Sequence, residues 1–172
     1  MSRKYGKTHL KRWDKPEWVA LSVVAQWLYD ALVSQAALSP CGAMEWKPKQ
    51  IRKLAGALSI DVLEAAMQEL REGLFVVLDE DVDVLLIRSF IRNDVDVSNK
   101  NMMISVMKAW QRIGSMDLKR VVIFELLRLR DEQPEQAIWS HEAMLDAFVT
   151  TPPLDPQKFT GYLKANDDDD FF

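Results

Sequence analysis

The chain has 172 residues, of which 48% are apolar, with a single cysteine, two histidines and a net charge of -4. That length admits one domain, or one small domain with a helical extension, and the apolar share is enough for a packed core. A lone Cys41 excludes an internal disulfide and fits a reducing cytoplasm. No apolar run reaches the roughly 18 residues of a membrane span, and His9, Cys41 and His141 lie too far apart in sequence to suggest a zinc site. No cofactor and no membrane association are therefore expected.

Charge is distributed unevenly. Residues 1–53 carry ten Lys or Arg against four Asp or Glu, and residues 54–96 carry three against ten. Such polarity suggests that one face meets an anionic partner. Residues 1–15 form a basic arm with Arg3, Lys4, Lys7, Lys11, Arg12 and Lys15, interleaved with Tyr5 and Trp13. It reads either as a solvated terminus or as an arm that tracks phosphates.

Pro16 to Trp18 leads into the first long helix. Ser22 is a candidate N-cap, and Val24, Trp27, Leu28, Ala31 and Leu32 recur at helical spacing. Residues 38–46 read as a loop. Pro48 suits the first position of a second helix, expected over residues 48–58 with Ile51, Leu54, Ala55 and Leu58 inward and Lys47, Lys49, Arg52 and Lys53 outward. Ser59 then caps a third helix whose apolar face is Leu63, Ala66, Met67 and Leu70, with Gly73 placed to end it. A hairpin follows: a strand over residues 75–78, the acidic turn 79–83, and a return strand expected over residues 84–92.

A helix pair followed by a hairpin is the order of a winged helix-turn-helix, an architecture used on nucleic acid and for protein contacts alike. Its third helix is the one that would enter a major groove. Here its outer residues are Asp61, Glu64, Gln68, Glu69 and Glu72, and carboxylates repel phosphates. The expected DNA contacts are therefore the arm, Lys47, Lys49, Arg52 and Lys53, together with Arg88 and Arg92.

Residues 94–99 read as a linker. Met102, Met103, Val106, Met107 and Trp110 mark a helix that stops near Gly114. Another begins at Ser115 or Met116 and runs to about residue 131. A third holds Ile138, Trp139, Met144, Leu145 and Phe148, broken by Pro152 and Pro153, and a short helix is expected over residues 156–164. This much apolar surface calls either for packing on the winged domain or for a symmetric homodimer, with the dimer preferred. The chain then shows Asp167, Asp168, Asp169, Asp170, Phe171 and Phe172. That run resembles the acidic, Phe-terminated tip of bacterial and phage single-strand-binding proteins. It is expected to dock a partner protein or to mask the basic arm.

The expectation is a mainly α fold with a small β-hairpin (α+β): basic arm 1–15, winged helix-turn-helix domain 16–96, helical region 97–164, acidic tail 165–172. No phosphate loop, nucleophile elbow or metal-ligand set is present, so a non-enzymatic role is expected. Trp13, Leu21-Ser22, Ala25-Gln26, Leu28-Tyr29, Leu32, Ser34-Gln35, Leu38-Ser39, Gly42 and the run Leu86-Ile87-Arg88-Ser89-Phe90-Ile91-Arg92-Asn93-Asp94 resemble the winged helix-turn-helix proteins of actinobacterial phages and prophages. The chain is more remotely similar to the winged domain of DnaD-type replisome organisers. That resemblance implies a cytoplasmic DNA-binding replication accessory, an organiser or loader-like protein that recruits others through its C-terminal half. The alternatives are a dimeric transcriptional regulator and a protein-interaction module aimed at a host factor.

Overall fold

The computed structural model describes residues 10–56 and 58–159; Arg3, Lys4, Lys7 and the tail residues 167–172 lie outside them. A 3₁₀ turn, Leu10–Asp14, leads into α1 (Pro16–Val19) and α2 (Val23–Val33). A short strand β1 (Ala43–Glu45) precedes α3 (Pro48–Arg52), a 3₁₀ turn (Lys53–Ala55) and α4 (Ile60–Glu72). The hairpin β2 (Val76–Asp79) and β3 (Val84–Ile87) follows, then α5 (Phe90–Asp94). The C-terminal part holds α6 (Lys100–Gln111), α7 (Met116–Glu132), a 3₁₀ turn (Ala137–Ser140), α8 (Glu142–Thr150) and a last 3₁₀ turn (Pro156–Lys158). The fold is mainly α with one small antiparallel sheet. None of the described helices is long and apolar enough to cross a membrane.

The helix starts follow from side-chain caps. Ser22 Oγ accepts from Ala25 N–H at 3.1 Å, Ser59 Oγ from Val62 N–H at 3.3 Å, and Ser115 Oγ from Leu118 N–H at 3.1 Å. Asn99 does the same for α6, accepting from Met102 N–H at 3.1 Å. Each satisfies an amide that the first turn leaves without an intrahelical partner.

Four local expectations are corrected. Residues 38–46 are not all loop: Ala43–Glu45 pairs with β3, giving the sheet order β1-β3-β2. The helix expected to reach residue 58 ends at Arg52 and tightens into the 3₁₀ turn, after which Gly56 takes φ +63°. Leu54 is consequently turned outward, 58% exposed. The return strand stops at Ile87, and residues 90–94 are helical. Lastly, the helix expected around Trp139 and Phe148 is split at His141, which is extended.

Gly42 explains how β1 can lie so close to the end of the hairpin. It has φ +83°, and a Cβ there would stand 2.8 Å from Phe90 Cβ and 3.0 Å from the Ile87 carbonyl oxygen. Its own carbonyl accepts from Ile87 N–H at 2.9 Å. Only glycine meets both demands without displacing its neighbours.

The sheet is covered on both faces. In register, Ala43, Leu86 and Val77 form one row, and Met44, Leu85 and Leu78 form the next. Because strand side chains alternate, the second row, with Val76 and Ile87, faces Leu28, Leu32, Leu63, Met67 and Leu70 of α2 and α4. The first row faces Met103, Val106, Trp110, Val122, Leu126 and Met144 of the C-terminal helices. The described residues of segment 16–96 and residues 97–159 thus share a core through the sheet. Of the apolar residues on which the packing-or-dimer expectation rested, Met103, Val106, Met107, Trp110, Val122 and Leu126 are buried within the chain, Phe124 is half-buried and Met102 is 37% exposed.

Candidate nucleic-acid interface

The cations singled out in the sequence fall into two places. At the turn end of the hairpin, Trp46 N–H donates to the Asp83 carbonyl at 2.7 Å, which sets the start of α3 beside the acidic turn. From there α3 and its 3₁₀ extension carry Lys49, Arg52 and Lys53, all exposed and, among the described residues, without a carboxylate at ion-pair distance. Lys47 is exposed and paired with Glu45.

At the open end of the hairpin, Arg88 N–H donates to the Phe75 carbonyl at 3.2 Å. The four-residue strands put this end about 13 Å from the turn. Here a cleft of about 190 Å³ is lined by Arg12, Lys15, Arg88 and Arg92, by Trp18, Tyr29 and Phe75, and by Glu17 and Asp94. Four expected DNA contacts, far apart in sequence, therefore meet at one cleft. Lys11 is exposed on the neighbouring 3₁₀ turn.

The aromatic floor of the cleft is an edge-to-face set. Trp18 meets Tyr29 at 5.3 Å and Phe75 at 5.8 Å between ring centroids, and Trp13 stands edge-on to Trp18 at 6.0 Å. Arg12 lies over Trp18 at 4.4 Å and over Trp13 at 5.3 Å, cation–π distances. Its two terminal nitrogens donate to Asp30 at 2.5 and 2.8 Å, and this bond raises the guanidinium above its ordinary pKa. Burial pushes the Tyr29 hydroxyl up, opposed by its 3.2 Å contact with Ser89 Oγ.

Arg88 and Arg92 are braced by α7. Arg88 Nε is 3.3 Å from Glu125 Oε1, and Arg92 Nη2 donates to Glu132 Oε1 at 2.7 Å. Glu125 is 1% exposed. Burial pushes its carboxyl up, and the attraction of Arg88 and Arg128 does not offset it. Sequence reasoning did not single out Glu125, although a signal was there. It lies four residues after Val121 and four before Leu129, on the inward face of α7, where a carboxylate must find cations.

The outer face of α4 is as acidic as its sequence. Asp61, Glu64, Gln68 and Glu72 are exposed. Glu69 instead accepts from Ser22 N–H and Ser22 Oγ, both at 2.8 Å, so it fixes the start of α2. Arg71, the cation of this helix, is buried and paired with Glu80 at 2.6 Å. No family model matches this sequence, and no curated protein or solved structure matches it either.

Proposed function

We propose that this chain is a DNA-binding protein of the phage or prophage replication-accessory kind, acting by binding rather than catalysis. It holds the duplex through phosphate contacts from α3. The observation that supports this most is the trio Lys49, Arg52 and Lys53, exposed and, among the described residues, without a carboxylate at ion-pair distance, on α3 and its 3₁₀ extension ahead of α4 and the hairpin. Cations that no carboxylate neutralises are the ones that release counterions from DNA on contact. The acidic outer face of α4 argues against base readout in a major groove, so the reading is sequence-tolerant binding. The C-terminal helices then serve to recruit other replication proteins.

The deciding experiment is a mobility-shift titration with duplex, forked and single-stranded DNA at several salt concentrations. An accessory of this kind binds many sequences, with affinity falling steeply as salt rises. Retention of one sequence alone would replace this reading with an operator-binding regulator. A second class, a protein-interaction module, is favoured by the exposed carboxylates of α4 and predicts no shift at any salt concentration.

A further inference from the structure

We propose that the cleft beside Trp13 and Trp18 holds one phosphodiester of a single-stranded nucleic acid, with an adjacent base stacked on Trp13. The proposal rests on the nucleic-acid reading above and adds to it a second site, at the opposite end of the hairpin from α3.

The cleft contains donors that its own carboxylates do not use. Asp30 occupies the terminal nitrogens of Arg12, yet Arg12 Nε is buried and has no acceptor among the described residues. Trp18 is 2% exposed, and its indole N–H is likewise buried without an acceptor among the described residues. Buried N–H groups without partners are uncommon because each forgoes the hydrogen bond that water gave it. Two of them among the residues of one cleft, beside Lys15, Arg88 and Arg92, are donors for an incoming oxygen anion. Arg88 Nε stands at ion-pair distance from Glu125 Oε1 without hydrogen-bonding it, so the Arg88 guanidinium keeps its donors for a second acceptor.

The carboxylates set the limit on what enters. Glu17 and Asp94 line the cleft, and Asp30, Glu125 and Glu132 back three of its arginines. Such a site is no general sink for polyanions. Arg12 and Arg92 are directed by hydrogen bonds to Asp30 and Glu132, and the cleft's volume of about 190 Å³ suits one phosphate group rather than a duplex. Trp13 supplies the second half of the recognition. It is 53% exposed and perpendicular to Trp18, a residue of the cleft, with Arg12 over its ring at 5.3 Å. Bases inside a duplex are already stacked on one another, so only an unpaired base can use such a face.

The test uses the full chain and fluorescence anisotropy with fluorescein-labelled dT12, an abasic strand of the same length, and a duplex. Trp13→Ala should weaken dT12 binding about tenfold and leave duplex binding unchanged, and Trp13→Phe should restore it. Lys15→Gln should weaken dT12 and the abasic strand alike and lower the salt slope by about 0.7. Inorganic phosphate should compete with the abasic strand. Lys15 is exposed, so its variant should keep the wild-type circular dichroism and melting temperature; Trp13→Ala gives up the ring contact with Trp18 and with Arg12, so it should keep the circular dichroism while melting lower, and Trp13→Phe separates that loss from lost stacking. If the duplex binds while the Trp13 and Lys15 variants hold dT12 as the wild type does, the cleft proposal is overturned and the DNA reading stands. Equal losses on duplex and single strand overturn it too. If no form of DNA binds, the DNA reading fails and takes the cleft with it.

Discussion

The two sides of the sheet are built from similar residues and do different things with charge. On the side of α2 and α4, the core is closed by Leu85, Ile87, Val76 and Leu78, and the cations of α3 are exposed and, among the described residues, have no carboxylate at ion-pair distance. On the other side, Ala43, Val77 and Leu86 meet α6, α7 and α8, and α7 brings Glu125 and Glu132 up against Arg88 and Arg92. One side therefore offers charge outward, and the other uses charge to tie two segments together. The difference shows that a basic residue count says little about an interface until the carboxylate partners are known.

The strongest way to break that comparison is through the shared sheet. Leu85 and Leu86 are adjacent, buried, and face opposite cores. Replacing either with Ala should cost about 3 kcal/mol. Because the sheet belongs to both cores, each variant should still unfold in one transition, at lower urea. A Leu86→Ala protein that loses the C-terminal helices first, in a separate transition, would show that the two sides are independent domains joined only by a boundary near residue 96.

Next in size is the outward charge. The combined Lys49→Ala, Arg52→Ala, Lys53→Ala variant should weaken duplex binding by about tenfold or more at low salt and lower the salt slope by roughly 2.7, about 0.9 per lost phosphate contact. Its stability should hardly change, since these side chains are exposed. An unaltered slope would remove α3 from the interface.

A smaller effect is expected at the acidic helix. Glu69→Ala removes the acceptor for Ser22 N–H and Oγ and should cost about 1 kcal/mol in urea unfolding. Gln68→Ala should be neutral. Neither should change the relative affinities for different duplex sequences. A footprint altered at particular base pairs would mean that α4 does read a major groove.

These contrasts also show what was legible in the sequence and what was not. The helices that begin at Ser22, Ser59 and Ser115 were legible because a cap and a period-3.6 apolar face coincide there. β1 was not: three residues, Ala43–Glu45, carry no periodicity, and they are a strand because β3 presents an edge and Gly42 lets the chain approach it. The end of β3 was hidden for another reason. Leu85, Leu86, Ile87, Phe90 and Ile91 are all apolar because the chain passes between two cores, Phe90 entering one and Ile91 the other. An unbroken apolar run cannot reveal where a strand turns into a helix. For the site, the residue types were readable but their pairing was not. Arg88 and Arg92 stand alone in sequence, and their carboxylates arrive from α7, 37 to 40 residues later.

The smallest expected effect isolates the tie itself. Burial raises the Glu125 carboxyl above its ordinary value, despite Arg88 and Arg128. Between the unfolded and folded values the native state therefore keeps a proton that the unfolded chain has released. Stability must fall as pH rises through that window and stay level above it. Glu125→Gln has no proton to lose, so its stability should lack this fall. Urea unfolding of both proteins from about pH 4 to pH 8 measures the difference, which should favour the variant increasingly as pH rises through the window and then level off. The opposite sign, with the variant losing ground as pH rises, would mean that the attraction of Arg88 and Arg128 outweighs burial. The contact across the sheet would then be a stabilising ion pair, and not a buried charge that the rest of the core tolerates.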